Sequence, residues 1–317
     1  MSVPDPTFLA EPDAVADWRL VVLLDVATET GLLDALPGRP ADLAERLGLD
    51  GRGVRILLDA LGAWNVVVAD GEGTYGPGPG APDDAARPVL HHHARAVRQW
   101  AGGLEDRVRG QVPAEPRPAM PHPDRWQAAL AVSARRAAPG VVDAVMAAAP
   151  GAASVVDLGG GHGEYALEFT RRGVKATLQD RPAIIEVAGA SGRLAAAGVE
   201  LVAGDFFETL PDGRFDVVFA SGVTHTVPGE RVGELFRRAA SIVVPGGLLA
   251  VQTFLRGRHR TGAIFAVQML ANGGGGDTHA EDDYRRWLAE AGFAPPEVID
   301  LDEGRRTVLL ARARARD

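Results

Sequence analysis

The chain has 317 residues, 46% of them hydrophobic, which is enough for one large or two ordinary domains with real cores. Its formal net charge of −9 argues against broad contact with a phosphate backbone, and the lack of cysteine excludes disulfides, thiolate metal sites and a cysteine nucleophile. No apolar run reaches the about 18 residues of a membrane helix, and Asp5, Glu11 and Asp13 stand where a signal peptide is basic, so a cytoplasmic protein with no membrane partner is expected.

Taken in chain order, Val15 to Leu36 is apolar with helical periodicity, Trp18, Val22 and Val26 sharing one face, and Gly31 can split it in two. Ala41 to Leu47 and Val54 to Leu61 predict two short helices spaced as in a helix-turn-helix. Trp64 to Ala69 reads as a strand and Gly71 to Gly76 as a hairpin turn with a return strand, which completes a winged helix. Such modules often read DNA, making a transcription regulator one hypothesis. Here the second helix, taken over Gly51 to Ala63, offers Arg52 and Arg55 but also Asp59, with Asp50 just before it, and the wing, Val67 to Tyr75, holds Asp70 and Glu72 without a basic residue. The phosphate-neutralising stripe is missing, so no nucleic-acid partner is expected and dimerisation is the alternative use.

Gly76 to Pro82 predicts an exposed break, and Val112 to Pro123 a second proline-rich connector. His91, His92 and His93 invite a metal reading, but neighbours on a helix diverge by about 100° and cannot all face one ion. A solvated helix start and no metal are expected there.

From Ser154 the pattern alternates between strand and helix. Strands are predicted at Ser154 to Leu158, Val174 to Leu178, Val199 to Ala203, Phe215 to Ala220 and Leu248 to Phe254. This predicts an α/β fold with a parallel sheet and right-handed crossovers. Pro296 to Leu301 and Arg306 to Ala311, joined by Asp302-Glu303-Gly304, predict a terminal hairpin. Ligands of open parallel sheets lie at the carboxyl ends of the strands, which gathers Asp157, Asp180, Asp205 and His225 around one crevice.

The stretch Val155 to Glu164 reads as a buried strand, a turn rich in glycine and a helix start, which is how a polar ligand is brought against backbone amides. Gly161-His162-Gly163-Glu164-Tyr165-Ala166 formally satisfies the dinucleotide pattern, and an acid about 20 residues on suits a ribose in either case. A carboxylate at the strand end, Asp157, would oppose a pyrophosphate but suits a sulfonium, so the charges favour S-adenosylmethionine (SAM) over NAD. A purely structural glycine turn is the third reading.

With these residues assembled, the chain resembles the SAM-dependent small-molecule O-methyltransferases of plants and actinobacteria. The resemblance rests on VVDLGGGHG at 155–163, LQDRPAIIEVA at 178–188, GDFFETLP at 204–211, HTVPGER at 225–231, VPGG at 244–247, NGGGGDT at 272–278 and AGF at 291–293, and covers nearly the whole chain. It implies a Rossmann-like class I methyltransferase sheet ending in an antiparallel hairpin. A mainly helical winged-helix dimerisation domain would precede it, at residues 1–100. The catalytic domain, with a helical linker at its start, would occupy 101–317 of each subunit of a homodimer.

By the same resemblance, Asp157 with Gly159, Gly160 and Gly161 lines the methionine end of SAM, Asp180 takes the ribose hydroxyls, and Asp205 and Phe206 flank the adenine. Ser221 stands near the cofactor where the family often has a basic residue. His225 occupies the place of the catalytic base, with Asp277 and Gln252 as its supports, and Trp126, Phe265, Met269 and Asn272 fall in segments that close over the acceptor. The family normally follows its histidine with Asp and Trp, where this chain has Thr226 and Val227, and Gln252 replaces a glutamate. A glutamine can orient an imidazole but cannot stabilise its cation by charge, so a weaker base is expected. The implied reaction is methyl transfer to a hydroxyl of a small aromatic or polyketide-like acceptor. N- or C-methylation, or a homologue with altered chemistry such as decarboxylation, hydroxylation or rearrangement, is the alternative.

Overall fold

The computed structural model describes residues 18–110 and 122–314. The first residues of the Val15–Leu36 segment and nearly all of the Val112–Pro123 connector lie outside the described residues. The described chain opens with α1 (Trp18–Glu29), which ends before a turn at Gly31, followed by α2 (Pro40–Leu47) and α3 (Gly51–Gly62). The side chain of Asp50 caps α3 by accepting from the Gly53 amide at 2.6 Å, which satisfies one of the free donors at the helix start. β1 (Val67–Ala69) and β2 (Tyr75–Pro77) pair antiparallel, and Asp70 holds the tip between them by accepting from the amides of Glu72 and Thr74, each at 2.9 Å. Leu24, Leu32, Leu43, Leu58, Leu61 and Val66 are fully buried in the core beneath.

The glycine-proline run at 76–82 leaves Pro77 and Pro79 exposed, while Gly78 and Gly80 fasten it by donating to the carbonyls of Val66 and Asn65 at 2.9 and 2.8 Å. One expectation for the next stretch is corrected. The three histidines do not start a solvated helix. They lie inside α4 (Ala86–Val108), where His93 is fully buried and His91 Nδ1 meets the buried Asp25 of α1 at 2.9 Å. Arg98 joins the same carboxylate at 2.7 Å, and Arg125 pairs with Glu29 beside it. Asp25, Glu29 and His91 thus lie close enough to share an ion, but the two guanidiniums already neutralise the carboxylates. A buried carboxylate persists only when so paired.

α4 and the following α5 (Pro123–Ala148) connect this region to the sheet. The sheet elements are β3 (Ser154–Leu158), α6 (Glu164–Arg171), β4 (Lys175–Asp180), α7 (Pro182–Gly189), α8 (Arg193–Ala196), β5 (Glu200–Ala203), β6 (Phe215–Ser221), α9 (Gly229–Ile242), β7 (Val243–Thr253), α10 (Arg260–Asn272), α11 (Glu281–Glu290), β8 (Glu297–Leu301) and β9 (Arg306–Arg312). The seven strands run in the order β5-β4-β3-β6-β7-β9-β8. The first five are parallel, and β9 inserts antiparallel between β7 and β8, which is the predicted terminal hairpin.

Both faces are covered, so the strands are apolar throughout: Val155, Val217 and Phe219 enter the core beneath α5 and α6, while Val156, Val218 and Val251 enter the one beneath α9 and α11. The strand order reverses at β3, and the crevice beyond its carboxyl end is where such a sheet can receive a ligand. Among the described residues no helix is long and apolar enough to cross a membrane.

Candidate cofactor and acceptor site

One cavity of about 500 Å³ opens over that crevice, and the residues lining it come from α4, α5, α10 and the strand ends. Its floor is the turn after β3. Gly159 donates to the carbonyl of Gln179 at 2.8 Å, and Gly161 donates to Asp180 Oδ2 at 3.0 Å, so the turn is fastened to the end of β4. A Cβ at Gly160 would fall 2.6 Å from Asp157 Oδ2, and Gly161 has a φ of +51°, which together require glycine. From outside, the buried Glu164 receives Arg135 at 3.0 Å and Arg193 at 2.8 Å, and Arg193 also donates to the His162 carbonyl at 2.6 Å. His162 is held down to about 3 by burial first and by Arg193 and Arg135 next, so it stays neutral, and its Nδ1 accepts from the Glu164 amide at 3.1 Å.

Unpaired buried acceptors on β3 and α5 border this turn. Both oxygens of the fully buried Asp157, and Oε1 of the buried Gln127, have no hydrogen-bond partner among the described residues. Burial, with Asp180 adding repulsion, pushes Asp157 up to about 8. Burial likewise raises Asp180, offset in part by the amides of Arg181 and Gly161. Unsatisfied buried acceptors call for a donor or a cation, whereas an anion placed there would raise the cost further. Asp205 accepts from the Phe207 amide at 2.8 Å, and Phe206 lies against the turn, its Cε1 3.4 Å from where a Gly159 Cβ would be.

His225 stands on the opposite side, in a 3-10 turn, Thr224–Thr226, directly after β6. Its ring lies 4.7 Å from that of Phe265 and 5.8 Å from that of Phe254, centroid to centroid. Burial first and His279 next hold it down to about 3, and Nδ1 has no hydrogen-bond partner among the described residues. Neither expected support bonds it. Asp277 is half exposed outside the cavity lining, where it accepts from Arg256 at 3.3 Å and from the Thr278 amide at 2.7 Å. Gln252 lines the cavity, but its Oε1 accepts from Ser221 Oγ at 2.7 Å. The reason is local: Arg256 captures the carboxylate first, and the short Ser221 hydroxyl turns Gln252 toward β6.

What does hold the turn of His225 was not read from the sequence. Thr224 Oγ1, Thr253 Oγ1 and Tyr284 OH form a buried triangle with sides of 2.7, 3.1 and 3.2 Å behind it. Burial raises Tyr284 to about 12, so it remains a phenol. Gln127 was missed as well, since a lone glutamine among the several polar residues of an alanine-rich helix gives no sign of facing a ligand.

Trp126, Phe265, Met269 and Asn272 all line the cavity, the last three as a stripe on α10. Gln268 ties that helix to α4, accepting from Trp100 Nε1 at 2.7 Å and donating to Asn272 Oδ1 at 3.0 Å.

The doubly covered parallel sheet, its antiparallel hairpin and an acceptor-lined glycine turn define a nucleoside-binding α/β enzyme. Residues 130–298 match the family model described as a methyltransferase domain, and the chain belongs to that family, among the O-methyltransferases of the plant and actinobacterial type. It is 31% identical to 3-amino-4-hydroxybenzoate 4-O-methyltransferase of Streptomyces cremeus, over 90% of this chain and 84% of the relative. It is 33% identical to the mitomycin biosynthesis 6-O-methyltransferase of Streptomyces lavendulae, over 49% of this chain and 45% of that relative, so this match spans under half of each. The fold is similar to human N-acetylserotonin methyltransferase in complex with SAM, with a TM-score of 0.73 and 21% identity over 94% of this chain and 95% of that one.

SAM is the cofactor. The residues present fit it, because Asp157 and Gln127 offer unpaired acceptors to a cationic ligand and the glycine turn leaves no room for side chains in its place.

Proposed function

We propose that the chain transfers the methyl group of SAM to a hydroxyl of a small aromatic or polyketide-like natural product. The observation that carries this reading is the continuity of one cavity from the acceptor-lined glycine turn to His225 and the aromatic stripe of α10. When bound, SAM supplies an electrophilic methyl group on a sulfonium. Asp157 and the turn Gly159–Gly161 hold the charged methionine end, Asp180 accepts from the ribose hydroxyls, and Asp205 and Phe206 bracket the base. Ser221 and Gln252, bonded to each other, form a polar wall between the two ligands. Trp126, Phe265, Met269 and Asn272 hold the acceptor, and most of the acceleration comes from positioning.

His225 accepts the hydroxyl proton as a neutral imidazole. Lacking a carboxylate to stabilise its cation, it works best on acidic hydroxyls such as phenols, whose oxygen needs little help. That same deficit supports the second reading, a homologue with chemistry other than O-methylation. Exposed Trp18, Val26, Ile56 and Val68 support a homodimer formed through residues 1–100, which leaves 101–317 as the catalytic unit.

The test is turnover on phenols with SAM, followed by mass spectrometry. His225→Ala is expected to lower kcat at or below the bottom of the roughly 10²–10⁴ range of base catalysis, with SAM affinity retained. An unchanged rate removes the base role, and a product that does not carry one added methyl group on oxygen removes the reaction.

A further inference from the structure

α4 turns one stripe toward the cavity, His92, Arg95, Ala96 and Gln99, spaced so that all four share a helix face. The Trp100–Gln268 bond fixes that helix to α10, which carries the aromatic stripe beside His225. Arg95 is half-buried, and among the described residues no carboxylate pairs with it. The other cavity arginines differ. Arg306 is engaged by Asp302 and Ser133, and Arg181 is exposed beside Asp180. His92 does not compete for an anion, because burial and the charge of Arg95 keep it neutral. A guanidinium drawn partly out of water at the edge of a cavity that Trp126, Leu130 and Met269 also line carries a desolvation cost that an anion offsets well.

We propose that Arg95 receives a carboxylate of the acceptor, so that the preferred substrates are hydroxylated aromatic acids rather than neutral phenols. This rests on reading the cavity as a methyl-transfer site. The guanidinium presents a planar fork of N–H donors that matches a carboxylate with two parallel bonds, and Gln99 on the same face adds a donor amide. A ring held by its acid at Arg95 is then gripped from the α4 side while the aromatic residues of α10 flank it. The one other carboxylate that could reach the cavity is that of the cofactor itself, and the two sources are separable.

The test is titration of the protein, saturated with S-adenosylhomocysteine (SAH), with 3,4-dihydroxybenzoate and with its methyl ester. The acid is expected to bind about tenfold or more tightly than the ester, as a charge-assisted bond implies. Arg95→Gln should erase that preference, Arg95→Lys should restore part of it, and SAH affinity should stay within about twofold. Equal binding of acid and ester by the unaltered protein, no acid binding at millimolar concentration, or a preference that survives in Arg95→Gln overturns the proposal. So does a loss of SAH affinity in Arg95→Gln with the preference intact, which assigns the carboxylate to the cofactor. SAH binding without an acid preference removes this proposal alone, whereas no SAH binding removes the methyltransferase reading with it. Should Arg95→Gln not fold, the acid-to-ester ratio of the unaltered protein decides.

Discussion

Asp157 carries the most consequence of any single residue. Raised to about 8 by burial and by Asp180, its carboxyl is largely protonated at neutral pH before a ligand arrives, and a cation beside it favours the ionised form. Binding of SAM is therefore expected to release a proton, and its affinity to rise with pH until about pH 8, where the carboxyl is already ionised. Calorimetry in buffers of different ionisation heat measures this directly, and a binding heat independent of buffer contradicts it. The acid itself was legible in the sequence as a strand-end carboxylate before glycines. That Gln127 would share its task was not, because nothing in the order of residues on α5 says which face meets the turn. Asp277 and Gln252 mark the opposite limit: family position identified them, but hydrogen bonds to Arg256 and Ser221, which depend on packing, decide where their side chains point.

At the scale of elements, the 3-10 turn of His225 hangs on the hydroxyl triangle of Thr224, Thr253 and Tyr284, which ties the turn to β7 and α11. Tyr284→Phe removes the central hydroxyl and leaves two buried threonine oxygens with a weaker network. A cost of about 1–3 kcal/mol is expected, with kcat falling more than SAM affinity, as denaturant unfolding and steady-state kinetics would measure. Unchanged kcat and stability would mean that the triangle positions nothing. The strands and their parallel arrangement were readable, since apolar β-branched runs separated by helical stretches admit few topologies, whereas their order in the sheet came only from the structure. The terminal hairpin was readable from its turn residues. The placement of α4 was not: its histidines looked solvated because helix length and burial depend on Asp25, far off in sequence, and on the helices that pack around them.

For the whole molecule, histidines whose charged form is penalised by desolvation set the acid limb of stability. His92, His162 and His225 are held at about 4, about 3 and about 3, against an ordinary value of 6.5. Below pH 6.5 the unfolded chain binds protons that the native one refuses, so stability falls as pH drops through that window. Asp157 and Asp180 act in the opposite sense, since their raised values favour the native state at low pH, but His279 is lowered too, so two carboxyls stand against four histidines. Thermal unfolding without ligand should therefore show Tm rising from about pH 5 to about pH 6.5, and a flat or falling Tm over that range would contradict the burial of these rings.

The glycine turn and the unpaired acceptors beside it are proposed to bind a sulfonium nucleoside and not a dinucleotide. Parallel calorimetric titration with SAM, SAH and NAD tests it most directly. Micromolar binding of both sulfur nucleosides and none of NAD is expected. Binding of NAD, or of none of the three, would contradict it.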